Sequence, residues 1–422
     1  MNFFKNIFNR QSAIDNCKTI FYCLLLIIYC QLSPAQTRIT LQGAIDMALK
    51  NNLQIKGEKQ KLDYQQKIIK TAFNIPLTTI LAEYGQINSI YADNRFGVSQ
   101  SFNFPTVYKK QKNLLTEHWK IALLDVALKE AELKKAVSQT FYELIYLKEK
   151  ETLLLKSDSI YSEFLKKAEL RLKNGESNIL EKITAESQRG NIALQLKQLM
   201  TEKETINLQF QLLLNTESKV APNESTFKIT TPITADSNLI TNHPLLKIVD
   251  QQRNASLAAL KLEKSKLLPD INLGYYSMSM RGTGADNVLY SGSSRFQSAQ
   301  LSIGIPLFYG AQKAKISTSK IYQSFNENNY LLQKQLLQKQ YQAFYLQYKN
   351  QAEAINYYEQ TALPNAKLIL ETANKQFING EINYLDWVML TNQAISIKSN
   401  YIDAIKSYNE LVIQFNYITS KL

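Results

Sequence analysis

The side chains in this 422-residue chain with the strongest claim to ligate a metal or act as nucleophiles are two histidines, three cysteines and a Met278-Ser279-Met280 triplet. None is spaced for that chemistry. His118 and His243 lie far apart and form neither a metal pair nor a triad, so a helix-surface position is expected for each. Cys17, Cys23 and Cys30 all fall within residues 1–35. The two methionines alternate with serines on one strand face, where two thioethers are poor evidence for a soft-metal site and packing against lipid is the expectation. What does recur is a polar turn. Asn174-Gly175-Glu176 opens "NGESNIL" and Asn379-Gly380-Glu381 opens "NGEINYL". Glycine after a helix supplies the left-handed cap conformation, and Asn178 with Glu181, or Asn383 with Asp386, makes an N-cap with an acid three residues on.

The elements around these turns follow from composition. Only 13 glycines and 9 prolines in a chain that is 45% hydrophobic favour long helices over a many-turned β protein. The net charge of +13 is spread among Glu, Gln and Asn rather than gathered on one element. A solvated basic surface is expected, not a nucleic-acid partner. Lys5, Arg10 and Lys18 precede the apolar run "TIFYCLLLIIYCQL", and Ser33-Pro34-Ala35 follows with small residues at −3 and −1, so residues 1–35 read as an export signal. A mature chain without them has no cysteine, which excludes disulfides, zinc-thiolate sites and cysteine nucleophiles. The alternative is a lipidated Cys30, against which the bulky Tyr29 stands. No other stretch approaches the ~20 apolar residues of a membrane helix. An exported chain of this kind is either soluble or crosses a membrane as a β-barrel.

Aligning on the two turns exposes an internal repeat, residues 36–214 and 243–422, joined by a Thr-, Ser-, Asn- and Pro-rich linker at 215–242 with little helix of its own. Each half opens with a helical segment, Leu41 to Ala72 or Pro244 to Leu268. Two strands bounded by prolines follow, at about 77–87 and 95–104, then 270–281 and 297–306. Phe96, Val98, Phe102 and Phe104 share one face with Gln100 as a polar exception, and Leu301, Ile303, Ile305 and Leu307 repeat the scheme. A strand apolar on one face and small or polar on the other suits a barrel wall, or one half-buried face of a soluble sheet. Tyr84, Tyr108, Tyr276, Phe308 and Tyr309 near the strand ends fit an aromatic girdle or ordinary β preference.

A long helix then spans about 106–173 and again about 308–378; Thr106 to Asn174 contains neither Gly nor Pro, and Ala311 to Asn379 is interrupted only by Pro364, which should kink the second. Near 70 residues at 1.5 Å each is about 100 Å, more than a globular domain needs, so partners along its side are required. Tip turns at 174–178 and 379–383 lead into return helices at 178–214 and 383–420, which gives antiparallel coiled-coil hairpins. Trp119 and Trp387 lie on helices as packing residues. Four strands cannot close a barrel, for which about eight is the practical minimum, so the chain must self-associate.

This duplicated order of helix, two strands, long helix, glycine turn and return helix, behind an export signal, resembles the TolC-like outer-membrane efflux family across the mature chain. The resemblance implies a mainly α fold with a β-barrel part, a homotrimer whose 12-stranded barrel in outer-membrane lipid continues into a periplasmic α-helical barrel. It implies as partners a periplasmic adaptor (membrane fusion protein) and an inner-membrane pump. It places Asn174, Gly175, Glu176, Asn379, Gly380 and Glu381 at adaptor-docking tip turns, and Glu181 and Asp386 at a periplasmic constriction. Phe377 stands where a gate tyrosine can occur, and Met389 replaces a further acid of some relatives. Capping alone would also account for the two acids. The chain is then a passive exit duct with no cofactor and no catalytic constellation. The rival expectation is an exported soluble coiled-coil scaffold or adhesion protein.

Overall fold

The computed structural model describes residues 37–175, 178–224, 226–230, 233 and 237–421. The expected export signal over residues 1–35, with the three cysteines, lies outside them. The chain divides into two compact units, one of Met1–Asn51, Ala136–Ile229 and Ala352–Asn409, the other of Asn52–Lys135, Thr230–Gln351 and Glu410–Leu422.

In chain order the elements begin with β1 (Thr37–Ile39), α1 (Leu41–Asn51) and α2 (Leu53–Ile68). The continuous first helix expected over Leu41 to Ala72 is interrupted at Asn52, whose Oδ1 accepts from the backbone N–H groups of Gln54 at 2.9 Å and Ile55 at 3.3 Å. An Asn side chain that bonds its own backbone competes with the helix it sits in. Next come β2 (Thr79–Gly85), β3 (Asp93–Phe102), α3 (Pro105–Lys173), α4 (Ile179–Leu214), β4 (Val220–Pro222) and α5 (Pro244–Ser265). The strands β5 (Asp270–Met278), β6 (Gly282–Thr283), β7 (Leu289–Tyr290) and β8 (Phe296–Gly304) precede α6 (Gly310–Tyr357), α7 (Leu363–Ile378) and α8 (Tyr384–Ile418). Pro76, Pro105, Pro269 and Pro306 flank the four principal strands, because a residue without an N–H cannot extend the ladder. Pro105 instead serves as the first residue of α3, where its missing N–H costs nothing.

The unit containing the sheet joins β2, β3, β5 and β8 in that order, all antiparallel. Its register aligns Ile80 with Val98, Val98 with Tyr275, and Leu273 with Leu301. One face therefore carries Ile80, Val98, Leu273, Tyr275, Leu301 and Ile303, every one exposed. Gln100, the polar exception on that face, is satisfied locally: its Nε2 donates to the Pro76 carbonyl at 2.7 Å and its Oε1 accepts from Thr78 at 2.5 Å.

The opposite face carries Glu83 with Arg95 at 3.0 Å, and the Tyr276 ring over Gly97 and Gly274. Met278 pairs with Arg95 on this second face, which corrects the expectation that it packs against lipid; strand parity decides the side. Tyr276 lies there too. Tyr108 is buried, stacked on Phe73 at 5.5 Å and accepting from the Asn103 N–H at 3.0 Å, so it forms no girdle. The loop after β5 folds into the small β6–β7 hairpin, with Asn287 in the left-handed conformation.

His243 is the second correction, for it is only 1% exposed. Pro244 occupies the first turn of α5, and the His243 Nδ1 caps it by accepting from the Leu245 N–H at 3.2 Å. Its ring meets Tyr417 edge-on at 5.0 Å, beside a core of Ile240, Leu246, Val249, Leu337, Tyr341 and Phe415. His118 is exposed, as expected.

In the other unit β1 and β4 form a parallel ribbon, Arg38 opposite Ala221. The linker thus contains a strand, and its three residues were too short to show periodicity. Charged pairs tie the helices: Lys203 to Glu151 at 2.6 Å, Lys150 to Asp403 at 2.9 Å and Lys406 to Glu143 at 2.6 Å. Before Pro364 the helix widens to a π-turn over Tyr358–Ala362, and the Leu363 N–H reaches back to the Tyr358 carbonyl. The turn takes up the disruption expected of the proline as one extra residue.

Candidate functional site

Each long helix closes on a glycine with positive φ, +74° at Gly175 and +75° at Gly380. At the second turn the Glu381 N–H donates to the Gln376 carbonyl at 2.8 Å and the Gly380 N–H to the Phe377 carbonyl at 3.2 Å, the paired bonds of a Schellman cap. At the first, the Gly175 N–H donates to the Leu172 carbonyl at 3.1 Å; Glu176 lies outside the described residues. Asn379 also donates through Nδ2 to the Glu381 carboxylate at 3.1 Å.

The return helices start on asparagine caps. Asn178 Oδ1 accepts from the N–H groups of Leu180 at 3.0 Å and Glu181 at 3.2 Å, and Asn383 Oδ1 accepts from that of Asp386 at 3.0 Å. Both acids thus sit in a first helical turn, where the exposed N–H groups and the helix dipole favour negative charge. The Glu181 carboxylate lies 3.5 Å from the Arg171 guanidinium and is largely covered, its side chain 18% exposed. Asp386 has no ion pair among the described residues and is half-buried.

Beneath the turns an aromatic core fixes the two hairpin ends. Phe164 stacks on Tyr384 at 4.3 Å and on Trp387 at 4.7 Å, and Phe377 packs on Phe164 at 5.5 Å. Trp387 donates to Asn374 at 2.7 Å and Tyr161 to Asn392 at 2.7 Å. The Tyr384 hydroxyl is buried with no partner among the described residues. Burial raises its pKa, and the neighbouring Tyr161 and Glu181 add to the shift. Burial alone pushes Tyr161 up to about 12. Both are neutral hydroxyls at physiological pH. Phe377 is therefore a half-buried member of this core, and Met389 is exposed.

A groove of about 860 Å³ runs over the core, lined among others by Lys167, Arg171, Glu181, Phe377, Glu381 and Asp386. The structure thus brings both acids and the second glycine turn to one groove, whose lining does not include Asn174 or Gly175. Sequence reasoning passed over Arg171 and the aromatic residues Phe164 and Tyr384. Arg171 stands in the last turn of its helix ten residues before Glu181, a spacing that becomes a contact only once the chain reverses. No cluster of three or more His, Cys, Asp or Glu able to hold a metal occurs among the described residues, and none of their helices is long and apolar enough to cross a membrane.

Residues 237–414 match the Outer membrane efflux protein family. No curated protein matches the chain. Its fold is similar to that of CusC, known from structures of conformational changes accompanying folding and transmembrane channel formation, with 15% identity, a TM-score of 0.77 and coverage of 91% of this chain and 93% of that one. VceC, an outer membrane protein of Vibrio cholerae, aligns at 13% identity and a TM-score of 0.75 over 90% of this chain and 95% of its own. The open-state MtrE outer membrane channel of Neisseria gonorrhoeae aligns at 15% and 0.74 over 90% and 88%. The resemblance carried by the repeated turns and strands is borne out to this extent: residues 237–414 match the model of the outer membrane efflux protein family, and nine-tenths of the chain's length takes the fold of these outer-membrane proteins.

Proposed function

We propose that the protein is the outer-membrane channel of a tripartite efflux or secretion system, a passive homotrimeric exit duct. The observation that carries this is the sheet: its outer strands β2 and β8 each have one strand partner, and one face presents the exposed apolar side chains Ile80, Val98, Leu273, Tyr275, Leu301 and Ile303. An open edge and an apolar face together are a liability in water unless both are covered. Three copies of a four-stranded sheet bring twelve strands, and strands of 9 or 10 residues such as β3, β5 and β8 match the height of a bilayer core.

In this reading residues 1–35 are removed on export, residues 36–214 and 243–422 are the two repeats, and 215–242 joins them. The helical hairpins extend into the periplasm. Asn174, Gly175, Glu176, Asn379, Gly380 and Glu381 dock a periplasmic adaptor, and an inner-membrane pump supplies the energy. Glu181 and Asp386, with Phe377 behind them, form the constriction, where three copies of an acid would favour cations. The duct itself needs no cofactor and performs no catalysis.

The test is single-channel conductance of the detergent-extracted protein in a planar bilayer, with oligomeric mass measured on the same sample. Discrete cation-selective openings from a trimer are expected. A water-soluble species that never conducts would overturn the reading in favour of an exported coiled-coil scaffold.

A further inference from the structure

Away from the hairpin turns, but within the same unit, a second cavity of about 380 Å³ opens where β1 and β4 meet α3 and α4. It is of the size of small-molecule sites. Its walls are of two kinds. Leu144, Ile145, Ala221 and Pro222 supply apolar surface, while Arg38, Lys148 and Lys203 face Glu151 and Glu224.

The two carboxylates are already engaged. Glu151 holds Lys203 at 2.6 Å, and Glu224 accepts from the Leu41 N–H at 3.1 Å and the Tyr142 hydroxyl at 3.4 Å. Arg38 and Lys148 have no ion pair or side-chain hydrogen bond among the described residues. Asn207 lines the same cavity, and its carboxamide has no hydrogen-bond partner among the described residues, which leaves it open to a ligand.

We infer that this cavity binds a small amphipathic monocarboxylate. Three cations against two carboxylates leave one positive charge to be met, which matches a monoanion better than a phosphate dianion. The Arg38 fork and the Lys148 ammonium suit a carboxylate, and Asn207 can donate to it. The ligand's apolar body would lie on Leu144, Ile145 and Pro222. The inference uses neither the sheet nor the hairpin turns, so it stands apart from the channel reading.

The experiment is a titration of the full-length, detergent-extracted protein with benzoate and with benzamide, its uncharged counterpart of the same shape, followed by ligand-observed NMR. Saturable benzoate binding, at least ten-fold tighter than benzamide, is expected, together with at least ten-fold weakening in Arg38→Gln and in Lys148→Gln. Lys148 is an exposed helix residue, so its variant keeps the test usable if Arg38→Gln does not fold. Equal binding of benzoate and benzamide, or wild-type affinity in folded Lys148→Gln, would overturn the inference and assign the signal to the micelle.

Discussion

Arg171 reaches across the first hairpin turn to Glu181 at 3.5 Å, while Asp386, at the equivalent place after the second turn, has no ion pair among the described residues. The two repeated acids are thus electrically unequal. With Glu181 partly neutralised on its own hairpin, Asp386→Asn should reduce cation preference more than Glu181→Gln. Arg171→Gln should raise it. Reversal potentials under a salt gradient measure all three, and the order is wrong if Glu181→Gln has the larger effect. The ion pair is partly exposed and worth under about 1 kcal/mol, so neither acid variant should lower thermal stability much.

The turn glycines make a separable claim about stability. At φ of +74° and +75°, a Cβ at Gly175 or Gly380 meets no neighbouring atom but holds a strained backbone. Gly175→Ala and Gly380→Ala should each cost about 1 kcal/mol from conformation alone. Asn178→Ala, which removes a cap, should cost about as much. Amide hydrogen exchange should show the loss as faster exchange confined to the turn and the adjoining helix ends.

On the sheet, Tyr276 occupies the space that a side chain at Gly97 or Gly274 would need; a Cβ at Gly274 would stand 2.8 Å from its ring. Gly97→Ala should therefore destabilise the folded protein, and adding Tyr276→Ala should recover part of the loss. A coupling energy of about 0.5–3 kcal/mol in a double-mutant cycle of denaturant midpoints is the expected result. Strict additivity would mean that the ring moves aside freely.

His243 should make stability pH-dependent. Burial lowers its pKa from the usual 6.5 to about 4; Glu132 opposes the shift and Lys135 adds to it, with Tyr417 packed on the ring. The folded state disfavours the imidazolium, so the unfolded chain binds the extra proton between these values. This contribution is complete above about pH 6.5, falls as pH drops toward 4, and amounts to about 3 kcal/mol over that window. His243→Asn keeps a capping acceptor, an amide oxygen in place of Nδ1, without the titration. Its denaturation midpoint should change less than wild type between pH 7 and pH 4.5.

Much of the fold class was legible because its determinants are local. The alternation of Phe96, Val98 and Phe102, the prolines beside each strand, and the glycines that close two breaker-poor stretches are short-range signals of period and backbone freedom. The capping at Asn178 and Asn383 follows from the same kind of signal. His243 misled because a lone histidine carries no periodicity. Only its position before Pro244, a helix-start signature, pointed to a cap, and nothing local pointed to burial beside Tyr417. Met278 misled through parity: one residue of register places a side chain on the other face of a sheet.

By itself the sequence determined the order of the elements, the length of α3, the positive-φ turns at Gly175 and Gly380, and the caps that start the return helices. These depend on residues within a few positions of one another. Only the tertiary structure decided that β3 pairs with β5, that Arg171 pairs with Glu181, that Phe164 packs on both Tyr384 and Trp387, and that Arg38 shares a cavity with Lys148 and Asn207. Each of those depends on where the chain returns to itself. Local propensity and hydrophobic period constrain such returns without choosing the partners, because many segments offer the same apolar face and only simultaneous packing selects among them.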